Sequence, residues 1–299
     1  MALNPRDAYI AGAMNTRAAM IARAATISAA ALLLVAAAGA GAWFFFLRAP
    51  AALEGDAADS EQLPIPPVPP RIAEGPDYEH CLGMLTSDPS GAATFALAWE
   101  ATGGGDGATH CLALSQIALG EPARGADMLD KLAADSRGPD VGRAVIYGQA
   151  TQAWLMAGDK MHAFGSATLA LSLSPDDPDL LIESAIAAAA LERYQDAIDD
   201  LTHALDIDGR RGDALAQRAS AWRHMGQLGL AQDDIDRAIA IDPDNPEALL
   251  ERGIIRQRQD DPGGARSDWE RAIVLAPNTP TADLAQQNLA LLEAGPVRQ

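Results

Sequence analysis

Positive charge is scarce in this chain. Its 299 residues include 22 lysine and arginine residues against 41 aspartate and glutamate residues, which gives a formal net charge of −19 at pH 7. A folded protein with this charge repels phosphate, so the composition argues against a nucleic-acid-binding function. Only Lys131 and Lys160 are lysine, and this preference for arginine is typical of a GC-rich, bacterial genome.

The sequence also lacks the short motifs that carry much catalytic and cofactor chemistry. It has no phosphate-binding glycine-rich loop, no His-Glu-x-x-His, no Cys-x-x-Cys and no haem-attachment motif. The glycine-rich run at 102–107 follows no predicted strand, so we interpret it as a loop between helices. We therefore predict that the protein is not an enzyme and binds no cofactor or metal.

Cysteine is limited to Cys81 and Cys111, and each follows a histidine, His80 and His110 respectively. In an oxidising compartment such a pair most simply forms a disulfide, which would stabilise the fold by about 3–4 kcal/mol for a loop of this size. Two alternatives stay open, namely free buried thiols and a metal site built from the two His-Cys pairs. The metal site is disfavoured because adjacent residues point about 100° apart on a helix.

A 34-residue pattern runs four times without an insertion or deletion, in units that begin at Ala144, Pro178, Gly212 and Pro246. Small residues recur at positions where they let two helices approach closely. They occupy the eighth position (Thr151, Ala185, Ala219, Gly253), the twentieth (Ala163, Ala197, Ala231, Ala265) and the twenty-seventh (Ala170, Ala204, Ala238, Ala272). Proline or glycine at the thirty-second position stops a helix. Each unit is therefore predicted to be a helix, a short turn, a second helix and a stop.

This pattern resembles the tetratricopeptide repeat family, whose motif is matched closely at 194–208 (YQDAIDDLTHALDID) and 228–243 (LGLAQDDIDRAIAIDP). The resemblance covers a little under half of the chain. It implies an all-α fold, a right-handed α-solenoid of helix pairs. The chain departs from the family pattern at four positions where the family prefers a large apolar or aromatic residue: Lys160, Ala167, Ala188 and Arg256.

The repeats set the expected domain organisation. Four units span 144–177, 178–211, 212–245 and 246–279, and a capping helix follows at 280–294. Residues 76–139 keep a helical period but lose the 34-residue phase, so we predict divergent repeats with helices near 77–86, 89–101, 107–119 and 122–135. Divergent end units are expected because an end repeat meets solvent on one side.

The N-terminal region predicts a membrane anchor. Residues 24–47 contain no charge and would span roughly 36 Å as a helix, enough to cross a bilayer. Arginines precede this segment and acidic residues follow it, so the positive-inside rule places a tail at 1–23 in the cytoplasm and the repeats outside, in a bacterial periplasm. A cleaved signal peptide is the alternative, but the apolar run continues through aromatic residues at 43–46. The proline-rich, acidic stretch at 48–75 is predicted to be a semi-rigid linker.

Repeated charges predict structural ion pairs. Arg218 and Asp234 occupy the seventh and twenty-third positions of one unit, and Arg252 and Asp268 occupy the same positions of the next. Each pair should join the two helices of its unit. Because serine replaces the arginine in the preceding unit, we expect Asp200 to pair with Arg218 across the unit boundary.

The family resemblance also implies a peptide-binding groove, lined on the concave face by the first helix of each unit. Its lining residues would be Gln149, Gln152, Leu155, Met156, Ile182, Glu183, Ile186, Gln217, Ser220, Arg223, His224, Leu250, Glu251, Ile254, Gln257 and Arg258. The lysine and asparagine set that clamps a peptide carboxylate in some members is missing. The groove is expected to begin apolar and amide-rich and to become cationic at Arg223, His224 and Arg258, which predicts a protein or peptide partner with an acidic stretch.

These observations support one main functional hypothesis, a membrane-anchored, extracytoplasmic scaffold that binds a protein partner. Family analogy suggests envelope protein assembly, secretion or cytochrome c maturation. One alternative is a metal-binding or enzymatic protein that uses the 77–135 region. Another is a self-associating structural membrane protein.

Overall fold

The computed structural model describes residues 72–295, which form thirteen helices and no strand. The helices are α1 (Pro76–Met84), α2 (Pro89–Ala101), α3 (Gly105–Ala118), α4 (Pro122–Asp135), α5 (Asp140–Met156), α6 (Lys160–Leu173), α7 (Pro178–Ala190), α8 (Tyr194–Ile207), α9 (Gly212–His224), α10 (Leu228–Ile241), α11 (Pro246–Arg258), α12 (Pro262–Leu275) and α13 (Pro280–Ala294). Successive helices pack on one another, and the first helices of neighbouring units also touch. The all-helical solenoid predicted from the repeats is confirmed for this part of the chain.

Proline and acidic residues fix where many of these helices begin. Proline lies in the first turn of α1, α2, α4, α7, α11, α12 and α13. Its missing N–H has no partner there in any case, and its fixed φ suits the helix. Asp88, Asp177 and Asp261 accept hydrogen bonds from backbone N–H groups at the starts of α2, α7 and α12.

The turn inside each helix pair requires one residue with left-handed backbone. Gly158 and Gly226 meet this requirement with φ of 78° and 75°. Glu192 and Asp260 hold the equivalent positions with φ of 61° and 63°, although a side chain there costs about 1 kcal/mol. The 34-residue phase is therefore preserved in the backbone where the glycine itself is lost.

The small residues of the repeat lie at the closest helix contacts, as predicted. The alanines at the twentieth and twenty-seventh positions are at most 2% exposed in all four units. A Cβ added to Gly253, at the eighth position, would come within 2.2 Å of the Trp269 ring nitrogen. One apolar cluster runs from α7 to α11 and a second from α3 to α7, so the core is continuous along the units.

The divergent region before the four units also forms helix pairs. The four helices predicted between residues 77 and 135 correspond to α1–α4, although α1 ends two residues earlier than expected. At the other end of the array, Ala282 and Ala285 of α13 are fully buried against α11 and α12. Helix α13 therefore packs on both helices of the last unit.

Several predictions fall outside the described residues. The cytoplasmic tail at 1–23, the membrane anchor at 24–47 and nearly all of the linker at 48–75 belong to this group. Within residues 72–295, no helix is both long and apolar enough to cross a membrane.

Candidate protein-interaction surface

The predicted groove residues lie on α5, α7, α9 and α11, the first helices of the four units. We call this set of side chains the first-helix surface. Gln217, His224 and Arg258 are exposed on it, whereas Gln152, Ile186, Ser220, Glu251 and Ile254 are half-buried. Gln149 and Arg223 are buried, at 8% and 7% exposure. Neighbouring first helices touch, so these residues form one surface across the units.

Arg223 does not supply the accessible positive charge that the sequence predicts. Its Nε donates to Oε1 of Glu251 on α11 at 2.5 Å, and its Nη2 donates to Oε2 of the same residue at 3.3 Å. Nη2 also donates to Ser220 Oγ at 3.1 Å. The two charged side chains are only 9% and 12% exposed, so each neutralises the other between α9 and α11.

His224 also adds little positive charge at pH 7. Its ring stacks on Tyr194 of α8 with 4.5 Å between ring centroids. Partial desolvation of the ring lowers the pKa of His224, and the nearby Arg223 charge lowers it further. The imidazole is therefore mainly neutral at pH 7, and the predicted cationic end of the surface is reduced to Arg258. The prediction of accessible positive charge, on which an acidic partner depended, was wrong for Arg223.

A different electrostatic feature lies between α5 and α7. Gln152 Nε2 donates to Oε1 of Glu183 at 2.5 Å, while Oε2 of Glu183 is buried without a hydrogen-bond partner. Burial, together with the nearby charges of Asp179 and Asp177, raises the pKa of Glu183 to about 7. The sequence pattern places Glu183 in the groove but gives no sign of this unmatched oxygen.

Gln149 belongs to a buried polar chain that the sequence did not predict. Tyr78 Oη lies 2.8 Å from Nδ1 of His110, and Nε2 of His110 lies 2.6 Å from Gln149 Oε1. Burial lowers the pKa of His110 to about 4, so the ring is neutral at pH 7 and takes part in both hydrogen bonds. The Nε2 group of Gln149 has no acceptor.

The His-Cys pairs do not converge on a common point. Cys81 of α1 and Cys111 of α3 are joined by a disulfide with 6.3 Å between their Cα atoms. His80 packs edge-on against the Phe95 ring, whereas His110 faces Gln149. These four residues therefore do not build the metal site of the alternative interpretation.

The predicted ion pairs within units are confirmed. Arg218 contacts both carboxylate oxygens of Asp234 at 2.7 and 2.8 Å, and Arg252 contacts those of Asp268 at 2.9 and 2.7 Å. The prediction for Asp200 was wrong, because its Oδ2 accepts from Ser184 Oγ at 2.7 Å. Arg218 is already held by its own unit, and its Nη1 donates to the Thr202 hydroxyl at 3.0 Å instead of to Asp200.

The C-terminal units match a known family in sequence as well as in geometry. Residues 226–290 match the tetratricopeptide repeat family. The matched segment contains α10, α11 and α12, which contribute to the ion pairs described above. A search of curated protein sequences finds no match to the chain.

Solved structures support the same fold over a longer part of the chain. A chain of the APC/C hetero-tetramer Cut9–Hcn1 superposes with a TM-score of 0.56 and 17% identity, and the match covers 71% of this protein but 42% of that chain. TTC0263, a thermophilic TPR protein of Thermus thermophilus, gives a TM-score of 0.53 and 16% identity, covering 62% and 100% of the two chains. At this identity the likeness concerns the fold alone, and the tetratricopeptide fold is typical of non-enzymatic protein-interaction scaffolds.

Proposed function

We propose that the protein is a scaffold that binds a protein or peptide partner along its first-helix surface, which is the concave face in the tetratricopeptide family. The observation that carries this proposal is the arrangement of α5, α7, α9 and α11. Four adjacent helices present half-buried apolar side chains, such as Ile186 and Ile254, beside exposed polar ones such as Gln217. Such a surface suits an extended peptide or a helix laid across several units.

We further propose that the scaffold is anchored in the inner membrane with its repeats in the periplasm. The uncharged segment at 24–47 and the arginines before it support this arrangement. The disulfide between Cys81 and Cys111 supports it independently, because disulfides persist in oxidising compartments. By family analogy alone, an envelope process such as protein assembly, secretion or cytochrome c maturation fits this placement.

In-cell photo-crosslinking tests the binding surface. A photoreactive residue at position 217, exposed on α9, should capture a discrete partner. The matched control is position 233, which is exposed on the second helix of the same unit. Adducts from position 217 and not from 233 are expected. Failure of position 217 to capture any protein, or identical adducts from both positions, would contradict the proposal.

Topology is tested separately. A reporter fused after Gln299 should be active only outside the cytoplasm, and the mature protein should keep its N-terminal residues. Activity of the reporter in the cytoplasm would overturn the placement of the repeats. Loss of the residues before Trp43 would overturn the anchor and leave the compartment unchanged.

A further inference from the structure

Two glutamates occupy the same position in different units. They differ in the residue that the first helix of the preceding unit places beside them. Glu183 and Glu251 are each the sixth residue of their unit, on α7 and α11. Glu251 is paired with Arg223, the twelfth residue of the unit before it. The residue equivalent to Arg223 in the unit before Glu183 is Leu155. Glu183 thus faces a neighbouring helix that supplies no cation at this position.

Only one of the two carboxylate oxygens of Glu183 has a hydrogen-bond donor. Gln152 donates to Oε1, and Oε2 packs at the backbone of Gly148, where an added Cβ would lie 2.5 Å from it. The Nε2 group of Gln149, next to Gly148 on α5, is buried and has no acceptor. An unmatched acceptor and an unmatched donor therefore lie at equivalent positions of two adjacent first helices.

Among the described residues, no other carboxylate has a buried oxygen without a hydrogen-bond partner. Asp130 accepts from Trp154 Nε1 and from Ser166 Oγ, both at 2.7 Å, so each of its oxygens has a donor. Asp234 receives two donors from Arg218. Leaving a buried polar atom without a partner is unfavourable. A ligand that donates a hydrogen bond to Oε2 of Glu183 would remove this cost.

We infer that Glu183 is the position at which the first-helix surface receives a cationic side chain of the partner, arginine above all, in the role that Arg223 plays for Glu251. This inference rests on the proposed function. A guanidinium offers the planar fork that matches both carboxylate oxygens, which an ammonium does not.

The charge of the molecule and the environment of Glu183 support a cationic partner. The net charge of −19 attracts basic segments at long range. The terminal torsion of a glutamate is broad, so the carboxylate can rotate when a ligand binds. The raised pKa of Glu183, near 7, agrees with a carboxylate whose environment lacks a positive charge.

The test uses the full-length protein in detergent and two pools of fluorescent nine-residue peptides at pH 8. One pool has arginine fixed at its centre, and the other has citrulline, which keeps the shape and removes the charge. We expect the arginine pool to bind the wild type at least about tenfold more tightly, the usual order for a charge-assisted pair that is partly shielded from water. Fluorescence anisotropy measures both affinities.

Three variants locate the effect. Glu183→Gln should abolish the preference for arginine, so that the two pools bind this variant with equal affinity. Leu155→Arg should abolish it as well, because the new arginine would pair with Glu183 as Arg223 pairs with Glu251. Glu247→Gln removes the same charge from an exposed position on α11 and should keep the preference. Circular dichroism checks that each variant is folded.

The outcomes separate this inference from the proposed function. Equal binding of the two pools by the wild type, or a preference that survives Glu183→Gln, would overturn the role of Glu183 while peptide binding stands. Binding of neither pool by the wild type would count against the peptide-binding function itself, and the inference would fall with it.

Discussion

The two parts of the helix array satisfy their buried carboxylates by different chemistry. In α9–α13, the partners are arginines, in the pairs Arg218–Asp234, Arg252–Asp268 and Arg223–Glu251. In α4–α8, the donors are neutral, in the pairs Ser166–Asp130, Trp154–Asp130, Ser184–Asp200 and Gln152–Glu183. Charge is therefore balanced locally in the C-terminal part and left unbalanced in the N-terminal part.

This difference shows that the same repeat position can be paired with a cation in one unit and left without one in another. Glu183 and Glu251 have the same place in their units, and the residue at the twelfth position of the preceding unit decides what each one does. With Arg223 there, the carboxylate ties α9 to α11. With Leu155 there, the carboxylate remains without a cation from within the described part of the chain.

Breaking the ion pair between Arg223 and Glu251 should produce the largest change in stability. Arg223→Leu leaves Glu251 without its cation in a site where the two side chains are 9% and 12% exposed. We expect a loss of about 3–5 kcal/mol in the free energy of unfolding, measured by urea denaturation. The double variant Arg223→Leu with Glu251→Leu should recover most of it. A loss below about 1 kcal/mol in the single variant would mean that the pair is effectively solvated.

Removing the disulfide tests how much this covalent link contributes to the stability of the N-terminal part. The bridge between Cys81 and Cys111 closes a loop with a sequence separation of 30. Changing both residues to serine should lower the free energy of unfolding by about 3–4 kcal/mol. Non-reducing mass mapping of the wild type should find the two cysteines joined. Two thiols that react with an alkylating reagent in freshly isolated, unreduced protein would contradict this.

The unbalanced charge of Glu183 should make stability depend on pH. The pKa of Glu183 is raised from 4.5 in the unfolded chain to about 7, so the folded state holds the proton more tightly and this contribution to stability is lost as pH rises through that range. Glu183→Gln should therefore be more stable than the wild type at pH 8, by about 2 kcal/mol after allowing for partial exposure, and similar at pH 4.

Comparing the two proteins at each pH cancels contributions from other groups. The most important of these is His110, whose lowered pKa gives the opposite trend, with stability that rises between about pH 4 and 6.5. A difference between wild type and variant that does not change with pH would show that Glu183 has an ordinary pKa.

Introducing an arginine at the position that it occupies in the C-terminal units should give the smallest change in stability. Ser184→Arg places arginine at the seventh position, where Arg218 and Arg252 stand in the next two units. The new side chain should pair with Asp200, whose pKa is raised mainly by burial, and should add about 0.5–1 kcal/mol of stability. Arginine at position 172, on the exposed side of α6, is a control that should add nothing. A destabilised Ser184→Arg protein would show that the site is too tightly packed for the change.

Sequence alone predicts the contacts whose two residues recur at fixed positions inside one unit. The alanine contacts and the Arg218–Asp234 pair follow from the 34-residue phase, because both partners lie in one helix pair. The Arg223–Glu251 pair joins the twelfth position of one unit to the sixth of the next, and it occurs once, so no periodicity reveals it.

The rest of the surface was not predictable because burial depends on neighbours outside the repeat phase. Gln149 contacts His110, which in turn contacts Tyr78, and both of these residues belong to the divergent region. The unmatched oxygen of Glu183 depends on the absence of a side chain at Gly148 and of a charge at Leu155. Each of these is a property of side-chain geometry in three dimensions.

The most direct measurement is the titration of the Glu183 carboxyl group by carbon NMR in wild type and in Leu155→Arg. We predict a midpoint near pH 7 in the wild type. The midpoint should be clearly lower in the variant, because an arginine at position 155 would favour the charged carboxylate. A wild-type midpoint at the ordinary glutamate value of 4.5, unchanged by Leu155→Arg, would contradict the claim that Glu183 is an unmatched carboxylate awaiting a cation.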